Sequence, residues 1–162
     1  MNLSLMDVKK LTEEPSPRVR GMLAGKIAAD YQAGGFTDNE AKIAADIFRI
    51  LLKDAEKKVR KTLAEHLSQS KNVPHDIIWK LAHDEPEVSS PVLEYSHVLT
   101  ENDLIAIVRS TREVLKLCAI ARRDSLPERV GDTLLETRNE EVLTDLLGNK
   151  TAKVSETGLL EA

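Results

Sequence analysis

The chain has 162 residues, about one domain's worth and enough to bury most of its apolar surface without disulfides or metals. Its 41% hydrophobic and 31% charged residues exclude a disordered chain, and 23 basic against 27 acidic residues, a net charge of −4, leave no overall basic field to hold a polyanion. Aromatic residues at 3% argue against a β-sandwich or barrel, and seven glycines and six prolines argue against a phosphate-cradling loop or long linkers.

The pattern that remains is helical. Helices are predicted near 3–11, 17–33, 38–53, 55–69, 75–83, 86–97, 101–109, 112–123, 127–137 and 139–148, with a partial one after 155. In the second, Val19, Leu23 and Ile27 recur at i, i+4 and i+8 and define one apolar face. Thr37 with Glu40 has capping-box spacing ahead of the third, where Ile43, Ile47, Ile50 and Leu51 carry the apolar stripe. Val59, Leu63 and Leu67 form the face of the fourth. Pro74 and Pro127 suit a first helical turn, where a missing N–H costs nothing. The 86–97 helix should open at Pro86 and carry Pro91 inside it. Thr100 with Asp103 repeats the capping box. Val59, Leu63, Leu67, Ile77, Leu81, Val88, Val92, Leu104, Val108, Leu117, Ala121, Leu134 and Leu146 are expected to be buried.

These helices repeat. An apolar residue precedes each start at Phe36, Val73, Leu99, Leu126 and Val154, and the last four are spaced by 26, 27 and 28 residues. A second set of starts, each an acidic or polar turn before a Val, interleaves with the first near Val19, Val59, Val88, Val114 and Val142. The unit is a helix, a turn and a helix. Such a hairpin cannot enclose its own apolar face, whereas a stack of them shares one core, so the expected fold is all-α and a short α-solenoid across a single domain, residues 1–162. An irregular helical bundle is the alternative arrangement of the same elements.

The strings EPSPRVRGMLA and DAEKKVRKTLAEHL resemble HEAT repeats, in which an acidic residue is followed by Val-Arg and then Leu-Ala. The resemblance implies HEAT-like helical hairpins in a right-handed superhelical stack, with the acidic and Arg positions pairing between neighbouring repeats. Glu14 stands six before Arg20, and Asp54 six before Arg60; six beyond Asp84 stands Ser90, so the ladder should lapse in the C-terminal half. Over nearly the whole chain, and most specifically through Val88-Ser-Ser-Pro-Val-Leu-Glu-Tyr-Ser96 leading into Leu99-Thr-Glu-Asn-Asp-Leu104, the sequence is similar to a HEAT-like family found mainly in alphaproteobacteria and catalogued as a domain of unknown function. That likeness implies no reaction, cofactor or catalytic residue. Because the chain stops inside what reads as a new helix, the domain is expected to be truncated at its C-terminal end, with the edge of Val142, Leu143 and Leu146 partly uncovered and open to self-association.

His66, His75, His83 and His97 lack the spacing of a helical metal site, and Ser96 beside His97 points elsewhere around the helix, so neither a metal, a cofactor nor a catalytic residue is expected. Cys118, the sole cysteine, lies in the apolar run LKLCAIA and reads as a buried structural thiol. The N-terminus lacks the pattern of an export signal, and the longest apolar runs are far too short to span a bilayer, so the expected address is the cytoplasm with no membrane contact. Ser96, Arg123 and Asn149 fall at equivalent second-helix C-termini, and in a solenoid equivalent positions line up on one surface; they are the candidate contacts for another cytoplasmic protein or peptide. The expected function is thus a non-enzymatic protein–protein interaction scaffold in bacterial signalling or regulation. The alternative is a HEAT-like nucleic-acid-binding module using the strip Lys57, Lys58 and Lys61, disfavoured by the acidic neighbours and scarce aromatics; an enzyme with its site beyond the chain's end ranks third.

Overall fold

A computed structural model describes residues 3–161. Among them stand eleven helices and no strand: α1 (Leu5–Glu13), α2 (Pro17–Gln32), α3 (Asp38–Leu51), α4 (Lys57–Leu67), α5 (His75–Ala82), α6 (Pro86–Tyr95), α7 (Glu101–Ser110), α8 (Val114–Ala121), α9 (Glu128–Leu135), α10 (Glu140–Gly148) and α11 (Glu156–Glu161). No described helix is long and apolar enough to cross a membrane.

Local chemistry sets the starts. Thr37 accepts from the Glu40 N–H while the Glu40 carboxylate accepts from the Thr37 N–H, and Thr100 and Asp103 do the same for α7, so both expected capping boxes form. Asn139 caps α10 through Val142. Pro74 and Pro127 stand one step earlier than expected, at the N-cap rather than inside the first turn. The α6 helix opens at Pro86 and runs through Pro91, which has no N–H to offer the Glu87 carbonyl.

Packing then sorts the helices into two rows. The even helices lie side by side, α2 on α4, α4 on α6, α6 on α8 and α8 on α10; in the other row α1 packs on α3 and α3 on α5, and α7 packs on α9 and α9 on α11. One continuous core runs between the rows, and all thirteen positions expected there are buried, Leu63, Leu67, Ile77 and Leu81 completely. Val73, Leu99 and Leu126, which precede helix starts at the recurring interval, are buried too.

Three apolar expectations are corrected. On α3, Ile43, Ile47 and Leu51 of the predicted stripe are buried but Ile50 is 37% exposed. On α2 only Ile27 of the predicted face is buried; Val19 and Leu23 are 37% and 36% exposed, because α2 heads its row and packs on α3 and α4. At the other end the edge expected to be partly uncovered is covered at two of its three positions: Val142 and Leu146 are buried and Leu143 half-buried. Their packing is on α8 and α9. The chain after α10 folds back against α9, the Lys153 N–H donating to the Leu126 carbonyl at 3.1 Å and the Ser155 N–H to Asp132 at 2.7 Å. Gly131 permits this return, since a β-carbon there would collide with the Lys153 carbonyl.

Candidate functional site

The even row carries the polar features that sequence spacing singled out. At its N-terminal ends, Arg20 of α2 binds both oxygens of Asp54 at 2.7 and 3.1 Å, and Arg60 of α4 binds both oxygens of Asp84 at 2.7 and 3.1 Å. Each arginine also donates to the carbonyl six residues before it, Arg20 to Glu14 and Arg60 to Asp54. Burial works to raise the Asp54 pKa, but the Arg20 hydrogen bond, the Glu56 N–H and the Arg20 and Arg60 charges outweigh it and hold the carboxyl below its usual range. Each rung thus ties one even helix to the turn that opens the next.

After Asp84 the rungs stop, as the missing arginine requires, and a different clasp takes over at the opposite helix ends. Arg123, just past α8, donates to the carbonyls of Leu93 at 2.7 Å and Ser96 at 2.6 Å, the last acceptors of α6. Asn149, just past α10, donates to the carbonyls of Ala121 at 2.8 Å and Arg123 at 2.7 Å, the last acceptors of α8. Helix C-termini leave such carbonyls unpaired, and a cation or amide from the next helix of the row satisfies them. Ser96, Arg123 and Asn149 are therefore brought together, but not as a surface ridge. Ser96 is fully buried with its hydroxyl accepting from the Val98 N–H in its own turn, and Arg123 is 8% exposed with its guanidinium on the end of α6.

The basic strip also divides. Lys57 lies 3.2 Å from Glu87 and 3.8 Å from Glu85, and Lys61 lies 4.0 Å from Glu65. Lys58 has no carboxylate within 4 Å among the described residues and faces a different feature, an open cleft of about 810 Å³ between α2 and α4. Arg18, Gly21, Met22, Gly25 and Lys26 form the α2 wall; Lys58, Val59, Thr62 and His66 form the α4 wall. His66 Nδ1 lies 2.8 Å from the Thr62 carbonyl, which can only accept, so Nδ1 carries the proton. Sequence reasoning missed this cleft, although Arg18, Met22 and Lys26 at i, i+4 and i+8 beside Gly21 and Gly25 were its signature.

The remaining titratable groups form no comparable site. His75 is 2.7 Å from Asp103 and stacks on Trp79 with ring centres 5.9 Å apart, while His83 lies against the same indole at 4.3 Å. No group of three or more His, Cys, Asp or Glu side chains stands together as a metal site among the described residues. Cys118 is buried, and burial first, with the neighbouring Asp145 carboxylate, pushes its thiol up to about 11.

By fold and site, then, this is, across the described residues, an all-helical protein whose rows are tied end to end by side-chain clasps and which has an open cleft walled by α2 and α4. Residues 88–162, from α6 onward, match the model of a family described as an uncharacterised protein conserved in bacteria (DUF2336). The match takes in the clasp of Ser96, Arg123 and Asn149, whereas the α2–α4 cleft precedes it. No curated protein and no solved structure matches the chain.

Proposed function

We propose that this chain is a non-enzymatic protein–protein interaction scaffold, a short right-handed α-solenoid of HEAT-like hairpins that holds another cytoplasmic protein in bacterial signalling or regulation. The two rows of helices and the Arg20–Asp54 and Arg60–Asp84 rungs support the repeat reading. The observation that carries the binding reading is the α2–α4 cleft, where Met22 is 66% exposed beside Arg18, Lys26 and Lys58, none of which has a carboxylate within 4 Å among the described residues. Exposed apolar side chains rimmed by charge are the ordinary composition of a docking face.

Two measurements test this. X-ray scattering should return a radius of gyration above the ~15 Å of a compact globule of this length, as an extended stack requires. Affinity capture from a bacterial extract, run beside a Met22→Glu variant, should retain a protein on the native chain that the variant loses. An identical retained set on both, or retention of nothing, would overturn the scaffold reading. Single-stranded DNA is the competitor for the nucleic-acid alternative, in which Lys57 and Lys61 already have acidic partners and only Lys58 of the strip is free of one.

A further inference from the structure

We infer that the α2–α4 cleft receives an acidic amphipathic helix of another protein, its apolar face on Met22 and its carboxylates against Arg18, Lys26 and Lys58. This rests on the scaffold reading and names the chemistry of the occupant.

Charge complementarity sets the sign. Arg18, Lys26 and Lys58 line the cleft, none has a carboxylate within 4 Å among the described residues, and Glu56 is the sole acid on the lining. In a chain of net charge −4 this is a local reversal, and it favours a negative ligand.

Spacing decides the shape of that ligand. Arg18, Met22 and Lys26 follow one stripe of α2, cation, apolar, cation, and the backbone positions of the two cations are about 12 Å apart along the axis at 1.5 Å per residue. Side chains rooted two turns apart spread their charges along the helix rather than gathering them at one point, which fits an elongated ligand better than one phosphate or one carboxylate. They suit acidic side chains about two turns apart on a facing helix, with an apolar residue between them to meet Met22.

The glycines fit the same occupant. Gly25 has an internal reason, because a β-carbon there would sit 3.3 Å from both His66 and Thr62 of α4. Gly21 has none: nothing lies within 4 Å of its missing β-carbon, its φ is not positive, and glycine in a helix interior is less stable than alanine. A ligand backbone lying close over Gly21 supplies the reason that the chain's own packing does not.

The test uses the whole chain and two synthetic probes. One is a fluorescein-labelled helical peptide of about 16 residues with leucine at i, i+3, i+4 and i+7 and glutamate on the flanks; the other replaces each glutamate with lysine. Fluorescence anisotropy at about 0.1 M salt should show the acidic peptide binding at micromolar concentration and the basic one at least about tenfold more weakly. The Arg18→Glu, Lys26→Glu, Lys58→Glu triple variant should lose at least about tenfold for the acidic peptide with its helical circular dichroism unchanged. Gly21→Ala should raise the melting temperature by about 2–4 °C while weakening the peptide, a combination that damage to the fold would not produce. Equal binding of both peptides, no binding of the acidic one at millimolar concentration, tighter binding of single-stranded DNA, or self-association of the chain blocked by the triple variant would each overturn the inference. If the triple variant still retains the protein captured from extract, the acidic-helix inference fails and the scaffold reading stands; if the native chain captures nothing, the scaffold reading itself fails.

Discussion

Arg60 grips Asp84 through both carboxylate oxygens, and each side chain is only 15% exposed. Asp84 lies in the turn between α5 and α6, so this pair fastens the start of α4 to the start of the next helix in its row. A bidentate guanidinium pair of this kind imposes orientation as well as attraction.

Removing one partner should therefore be costly. Arg60→Ala leaves Asp84 partly desolvated without its cation and the Asp54 carbonyl without that donor, and should destabilise the fold by roughly 2–4 kcal/mol. Lys57→Ala, three residues earlier on an exposed pair with Glu87, should stay within about 0.5 kcal/mol. Urea melts of both variants check the contrast, and a double Arg60→Ala, Asp84→Ala variant should cost less than the sum of the single ones. Equal losses for Arg60→Ala and Lys57→Ala would contradict the assigned rung.

The clasp at the other helix ends predicts a failed conservative exchange. Arg123 spans two carbonyls with one planar fork, which a lysine ammonium cannot reproduce. Arg123→Lys should cost about 1–3 kcal/mol in denaturant despite keeping the charge. A neutral result would mean that charge near the α6 C-terminus, rather than the fork, is what matters.

Acid should weaken the fold in a defined window. Asp54 is held below its usual range as described, and so is Asp103, where burial pulls upward but the Thr100 N–H, the His75 ring and the Thr100 hydroxyl outweigh it. A folded pKa below the unfolded value of about 4 means stability that is present above pH ~4 and is lost as pH falls through the folded pKa. Denaturant midpoints should accordingly be level near neutrality and drop below pH ~4, and Asp54→Asn should shallow that drop while lowering stability at pH 7. An unchanged slope in Asp54→Asn would remove Asp54 from the account.

Cys118 should behave as a buried, protonated thiol. With its pKa pushed up to about 11 and its side chain covered, almost no thiolate is present at pH 8. Reaction with a thiol reagent should be at least about a thousandfold slower in the native chain than in urea, because it waits for the core to open. Rapid labelling of the native protein would show that α8 is exposed far more often than its packing allows.

What the sequence determined by itself was mostly local. Capping at Thr37 and Thr100, the helical recurrence of Val59, Leu63 and Leu67, and the buried character of Cys118 follow from interactions spanning three or four residues or from plain hydrophobicity, and both are written in the chain. The rung residues were legible too, because Arg20 and Arg60 occupy the same place in two similar segments. Tertiary structure decided the rest. Periodicity identified Ser96, Arg123 and Asn149 as equivalent, but a polar group at a helix end can turn outward to solvent or sideways to a neighbour's last carbonyls, and only the approach of α6 to α8 and of α8 to α10 selects the second. Val19 and Val142 open similar amphipathic runs, yet one is exposed at the head of its row and the other is buried where α10 packs on α8 and α9, so equal periodicity ends in opposite burial. Gly21 and Gly25 are likewise the same residue one turn apart; what distinguishes them is that α4 stands over one and open space over the other, and that depends on how two helices pack rather than on either helix alone.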